Sequence, residues 1–141
     1  MGAVWRGVTA DPPLATIRII TRNPETALSL RSYFWEHDVE ATIEDSFDGS
    51  DVGGRVPAIL VFPDEFPELH ALNGVARLLR NARKAIVIVV TREMARFDPL
   101  VAEHRSRRST RLLILPRPVW GWTLLEQIQR SLQSPVDPSL D

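Results

Sequence analysis

Residues 85–91 read Ala85-Ile86-Val87-Ile88-Val89-Val90-Thr91, six apolar side chains closed by a hydroxyl. A strand with one wet face alternates apolar and polar residues, whereas this run is apolar at every position and must be buried on both faces. Ala58-Ile59-Leu60-Val61-Phe62 repeats the pattern and is stopped by Pro63. Working outward, Thr16–Ile20 is a short β-branched run, Val39, Ala41 and Ile43 alternate with polar residues, and Leu112–Leu115 is a last apolar strand.

Helical patterns separate these runs. Asn23 is a good N-cap and Pro24 suits the first helical position; Ala27, Leu30 and Phe34 then recur at helical spacing. Pro67–Arg83 predicts a helix with Leu69, Leu72, Ala76 and Leu79 on one face and a weak point at Asn73-Gly74. Phe97–Arg108 predicts another, with basic residues at its C-terminus. Trp122–Leu132 predicts the last, turning Leu124, Leu125, Ile128 and Leu132 inward. Residues 44–56 carry Asp48-Gly49 and Gly53-Gly54 and read as loop with at most one helical turn. Strand and helix alternate, so the expected fold is a single α/β domain of flavodoxin-like, doubly wound type. Its five parallel strands take the order 2-1-3-4-5, with helices on both faces and the second helix short or absent. Residues 1–15 read as a leader, 16–132 as the domain and 133–141 as a flexible tail.

The chain has 141 residues, 44% of them hydrophobic and 25% charged, enough for one ordinary globular domain. It has no cysteine, which excludes disulfides, thiolate metal sites and cysteine nucleophiles, and fits a reducing cytoplasm. No apolar run approaches the roughly 20 residues needed to span a bilayer, and the N-terminus lacks a secretory h-region. His37, His70 and His104 share no metal-ligand spacing, and no Gly-x-Ser-x-Gly elbow or phosphate-binding glycine loop is present. No metal, cofactor or enzymatic activity is therefore expected.

Net charge is only −1 but is unevenly spread. Residues 23–74 hold eleven acidic groups against Arg31 and Arg55, and residues 77–117 hold eleven basic groups against three acidic ones. This is either two solvated faces, screened over about 8 Å, or a polarised surface that orients a partner. The densest basic cluster, Arg105, Arg107, Arg108 and Arg111, is either a helix terminus with a solvated loop or a site for nucleic-acid phosphates. Nucleic acid is not the expected partner, because the whole chain is slightly acidic. Trp120-Gly121-Trp122 precedes the last helix, where an exposed indole would make a protein contact.

Over residues 16–132 the chain resembles the receiver domain of bacterial two-component response regulators. The matching segments fall in the family's order. They are Ile17–Glu25 (IRIITRNPE), Asp48-Gly49, Pro57–Phe62 (PAILVF), Asn73–Arg80 (NGVARLLR), Ile88–Thr91 (IVVT), and Arg117-Pro118 followed by Leu124-Leu125. The resemblance implies a phosphoacceptor Asp, an acidic pair for Mg²⁺, a Thr and a Lys that contact the phosphoryl group, and a cis bond before Pro118. Here the acidic pair is Thr21 and Arg22, the acceptor falls at Pro63 with Asp64 one residue late, and the Lys is Arg117. Thr91 is kept, the usually small residue after it is Arg92, and the switch aromatic is Ile114. A one-residue shift along an extended chain turns a side chain to the other face, so Asp64 substitutes only if Pro63 bends the chain. Arg117 is then expected to pair with Asp64 or Asp45, and Thr91 to cap its strand end.

These departures point to a pseudo-receiver. It would act by protein–protein interaction without phosphorylation, through Phe97–Arg111 and Trp120–Gln129. The family's fourth helix, fifth strand and fifth helix form that face, and homodimerisation is one use of it. The alternatives are an atypical receiver phosphorylated on Asp64 and a nucleic-acid-associated regulator using the Arg cluster. Heparin chromatography separates the last. Salt-dependent retention that is lost when Arg105, Arg107 and Arg108 become Ala would establish it, and no retention is the expected result.

Overall fold

The computed structural model describes residues 15–47, 56–81, 85–105 and 111–133. In chain order the elements are β1 (Ala15–Ile20), α1 (Pro24–Trp35), β2 (Val39–Glu44), β3 (Ala58–Val61) and a 3-10 turn (Pro63–Glu65). There follow α2 (Glu68–Asn81), β4 (Ile86–Thr91), a 3-10 turn (Met94–Phe97), α3 (Asp98–Arg105), β5 (Arg111–Pro116) and α4 (Gly121–Gln133). The strands form one parallel sheet in the order β2-β1-β3-β4-β5, as the alternation of elements predicts. Loop residues 48–55, the leader up to 14, residues 106–110 and the tail from 134 lie outside the described residues.

Alternate side chains of β4 supply two separate cores. Ile86, Ile88 and Val90 join Ile17, Ile19, Leu60 and Phe62 beneath α1 and α4, through Phe34, Leu124, Leu125 and Ile128. Val87 and Val89 join Ile20, Ile59 and Val61 beneath α2, with Phe47, Phe66 and Phe97. That two-sided burial is why β3 and β4 are apolar throughout. Asn23 caps α1 as expected, its side chain accepting from the N–H groups of Glu25 and Thr26.

The β1–β2 end of the second face is different. Thr16 donates to Glu40 at 3.2 Å, and buried Arg18 makes two bonds of 2.7 Å to the Glu44 carboxylate. Glu40 and Thr42 are exposed on this side, while Val39 and Ala41 are buried on the other. The polar side chains on this side of β1 and β2 are satisfied by one another across the strands.

Three expected features are corrected. The fully buried stripe of α2 is Ala71, Gly74, Val75 and Leu78; Leu72 and Leu79 flank it, half-buried against the same core, and Leu69 is 74% exposed. The stripe is rotated away from Leu69 toward Gly74, where the helix approaches Phe47 closely. The segment predicted as one helix from Phe97 begins as the 3-10 turn at Met94 and becomes α3 at Asp98. Strand β3 ends at Val61, and Phe62 already leaves the extended line with ψ 79°.

Asn73-Gly74 does not weaken α2 but lets it approach. A Cβ on Gly74 would stand 2.4–2.7 Å from three ring carbons of Phe47, which is itself 1% exposed and packed against Phe66. Gly in a helix interior ordinarily costs about 1 kcal/mol against Ala. Here the clash reverses the sign. Gly74→Ala is expected to destabilise by roughly 1–3 kcal/mol, the usual cost of overpacking, measured by urea unfolding. A stabilised variant would contradict this packing.

Candidate functional site

Parallel strands present their carboxyl ends along one edge, and there the residues after β1, β3, β4 and β5 meet. Pro63 opens the 3-10 turn that follows β3. Its fixed φ suits the first position of such a turn, and the turn does what a straight strand could not. It points two successive carboxylates sideways, one toward each neighbouring strand.

Asp64 turns to β4. Thr91 Oγ1 donates to its Oδ1 at 2.6 Å, and the Arg92 N–H donates to its Oδ2 at 2.9 Å. Arg117 Nη1, from the end of β5, stands 3.8 Å from the same Oδ2. Both charged side chains are about four-fifths buried. Glu65 turns to β1. Thr21 Oγ1 and the Arg22 N–H both donate to its Oε1 at 2.6 Å. Glu65 Oε2 is buried with no hydrogen-bond partner. Each Thr oxygen also accepts from the N–H two residues on, Asn23 for Thr21 and Glu93 for Thr91, both at 3.1 Å.

The Arg22 guanidinium leaves this cluster. Its Nε donates to the Asp45 carbonyl at 3.5 Å, and its Cζ lies 4.8 Å above the Phe66 ring. A hard divalent cation takes carboxylate, carbonyl and water oxygens. The candidate positions offer the Thr21 hydroxyl and a cationic side chain, and the nearest carboxylate oxygen already accepts two hydrogen bonds. These residues do not fit such a cation, and no group of three or more His, Asp or Glu among the described residues could hold one.

Thr21, Arg22, Pro63, Asp64, Thr91 and Arg117 are thus brought together as the sequence predicts. The bend at Pro63 occurs, so Asp64 reaches Thr91 despite its late register. Arg117 pairs with Asp64 rather than Asp45, and its bond to Pro118 is cis. Arg92 acts through its backbone, with its side chain exposed. Glu65 was missed by the sequence reading. Its only signal there is adjacency to Asp64 behind a proline. Arg117 also lines an open groove of about 360 Å³ between α1 and α4, with Thr26, Leu30, Phe62 and Val119.

Of the candidate interaction face, Trp120 and Trp122 are 69% and 60% exposed beside the start of α4. Arg105 closes α3 and Arg111 opens β5, whereas Arg107 and Arg108 lie outside the described residues.

No family model and no curated protein matches the chain. Solved structures do. One is a sensor protein from Polaromonas sp. JS666, with TM-score 0.65 and 18% identity over 86% of this chain and 98% of that one. A CheY-like response regulator receiver domain from Methanospirillum hungatei JF-1 gives TM-score 0.67 and 15% identity over 85% and 94% of the two chains. The receiver domain of a sensor histidine kinase from Pseudomonas aeruginosa PAO1, with a magnesium ion coordinated in its active-site cleft, gives 0.59 and 16% over 85% and 98%. The fold is that of response regulator receiver domains.

The Thr91 hydroxyl is fully buried and serves one donor and one acceptor. Thr91→Val keeps the shape and strands both partners, so it should cost about 1–3 kcal/mol in urea unfolding. Thr91→Ser should recover most of that loss. Equal loss in both variants would mean that the hydroxyl is not what matters.

Proposed function

We propose that this chain is a non-catalytic signalling module of two-component type, acting in the cytoplasm by protein–protein interaction and without accepting a phosphoryl group. The observation that carries this reading is the state of Asp64. Its two oxygens are already taken by Thr91, Arg92 and Arg117. Phosphoryl transfer depends on positioning an acceptor and on neutralising charge on the transferred oxygens. Pro63 offers no nucleophile, and the residues at the metal positions are Thr21 and Arg22.

The surface expected to meet a partner is Phe97–Arg111 with Trp120–Gln129. Two indoles stand out of it, and Trp is enriched among the residues that dominate interface energies. A second copy of the chain is one candidate partner. A second reading keeps Asp64 as an unusual acceptor. It is favoured by one fact: Thr91 and Arg117, the groups that contact a phosphoryl group in the resembling family, both surround Asp64.

Titration with Mg²⁺ and beryllofluoride, followed by tryptophan fluorescence and nuclear magnetic resonance, decides between them. No change at millimolar Mg²⁺ is expected. Shifts clustered at Asp64, Thr91 and Arg117, with mass addition from acetyl phosphate that Asp64→Ala abolishes, would establish the second reading. Trp120→Ala and Trp122→Ala should weaken partner binding or self-association. If neither does, the proposed surface is wrong.

A further inference from the structure

The ends of β1 and β4 carry the same dipeptide, Thr21-Arg22 and Thr91-Arg92. They also carry the same geometry. In each, the Thr hydroxyl donates to a carboxylate at 2.6 Å, the following Arg N–H donates to that same carboxylate, and the Thr oxygen accepts from the N–H after it. Each is a cup of one hydroxyl and one backbone donor, the arrangement that binds oxyanions. The two carboxylates that fill the cups are consecutive residues of one turn.

We propose that these are twin oxyanion sites whose resident ligands are the chain's own Asp64 and Glu65, so that β3 clamps β1 and β4 from between them. The inference rests on reading Asp64 as a ligand rather than an acceptor. The clamp fixes the loop that leads from β4 to α3 in one arrangement without any added anion. The Asp64 arm is the stronger, because it spreads its bonds over both oxygens and gains Arg117. The Glu65 arm puts both bonds on Oε1 and leaves Oε2 buried without a partner.

An attached ligand competes at an effective concentration of about millimolar or more. Inorganic phosphate should therefore bind the unsubstituted chain at least about tenfold more weakly than a variant whose cup is empty. The test is amide resonance spectroscopy of the full chain and of Asp64→Ala and Glu65→Ala, each titrated with inorganic phosphate. Asp64→Ala should lose the downfield position of the Arg92 amide and regain it, saturably, with phosphate. Glu65→Ala should do the same at Arg22 and leave Arg92 in place. Should either Ala variant fail to fold, Asp64→Asn and Glu65→Gln keep an acceptor oxygen and remove the charge. They should each move the amide of their own cup and not the other.

Equal phosphate affinity in the wild type and Asp64→Ala overturns the proposal, as does an Arg92 amide indifferent to Asp64. A beryllofluoride response of the wild type at Asp64 overturns the phosphorylation-independent reading instead. An indifferent Arg92 amide in a chain silent to beryllofluoride overturns only the clamp.

Discussion

The exit of the chain from β3 governs the site. Had the strand run straight on, Asp64 would face away from the residue before it, and a lone carboxylate would be left against an apolar layer. Burying an unpaired carboxylate is costly, because a low-dielectric interior stabilises it far less than water. The turn at Pro63 removes that problem by delivering both carboxylates to donors. Each finds a hydroxyl and a backbone N–H, and Asp64 also finds Arg117. Charge-assisted bonds of this kind are shorter and stronger than neutral ones. The ends of β1, β4 and β5 are consequently tied to the end of β3 by side chains, and the Arg117 N–H adds a backbone bond to the Thr91 carbonyl at 3.2 Å.

The same accounting explains the polar end of the sheet. A parallel sheet is ordinarily covered on both faces, which is why β3 and β4 carry only apolar residues. Strands β1 and β2 keep that rule toward α1 and break it on the other side, where Thr16, Arg18, Glu40 and Glu44 are paired with one another. Arg18 is nearly buried, so its charge must be paired. Removing Glu44 would take two short charge-assisted bonds from a buried cation, which is costly. The edge strand β2 also presents charge outward, a common guard against pairing with another chain.

Strands and topology were legible from sequence because they rest on hydrophobic pattern. A six-residue apolar run buried on both faces admits few alternatives, and alternating elements then select the strand order. The stripe of α2 was not legible. Leu69 looks more suited to a core than Gly74, yet it is exposed, and close approach to Phe47 selects the glycine. The site was half legible. The local resemblance brought Thr21, Arg22, Pro63, Asp64, Thr91 and Arg117 to one edge, but each was read against what a receiver would place there. Glu65 was invisible to that comparison because its role depends on turn geometry, and propensity does not show which way a side chain leaves a turn.

Comparison with a phosphorylating site describes Thr21 and Arg22 only as losses. A site from which groups had merely been subtracted would leave donors and acceptors without partners. Almost the reverse is found. The Thr21 hydroxyl, the Arg22 amide, the Arg22 guanidinium, the Thr91 hydroxyl and the Arg92 amide all have partners, and Glu65 Oε2 is the one buried side-chain polar atom without one among the described residues. Buried polar groups are stable in proportion to how completely they are satisfied. A cluster this nearly complete is a satisfied polar network along the edge of the sheet. Thr21 and Arg22, which depart from the receiver pattern and make the position unsuited to a metal ion, are thus among the residues that hold this edge together, beside Thr91, which keeps to it.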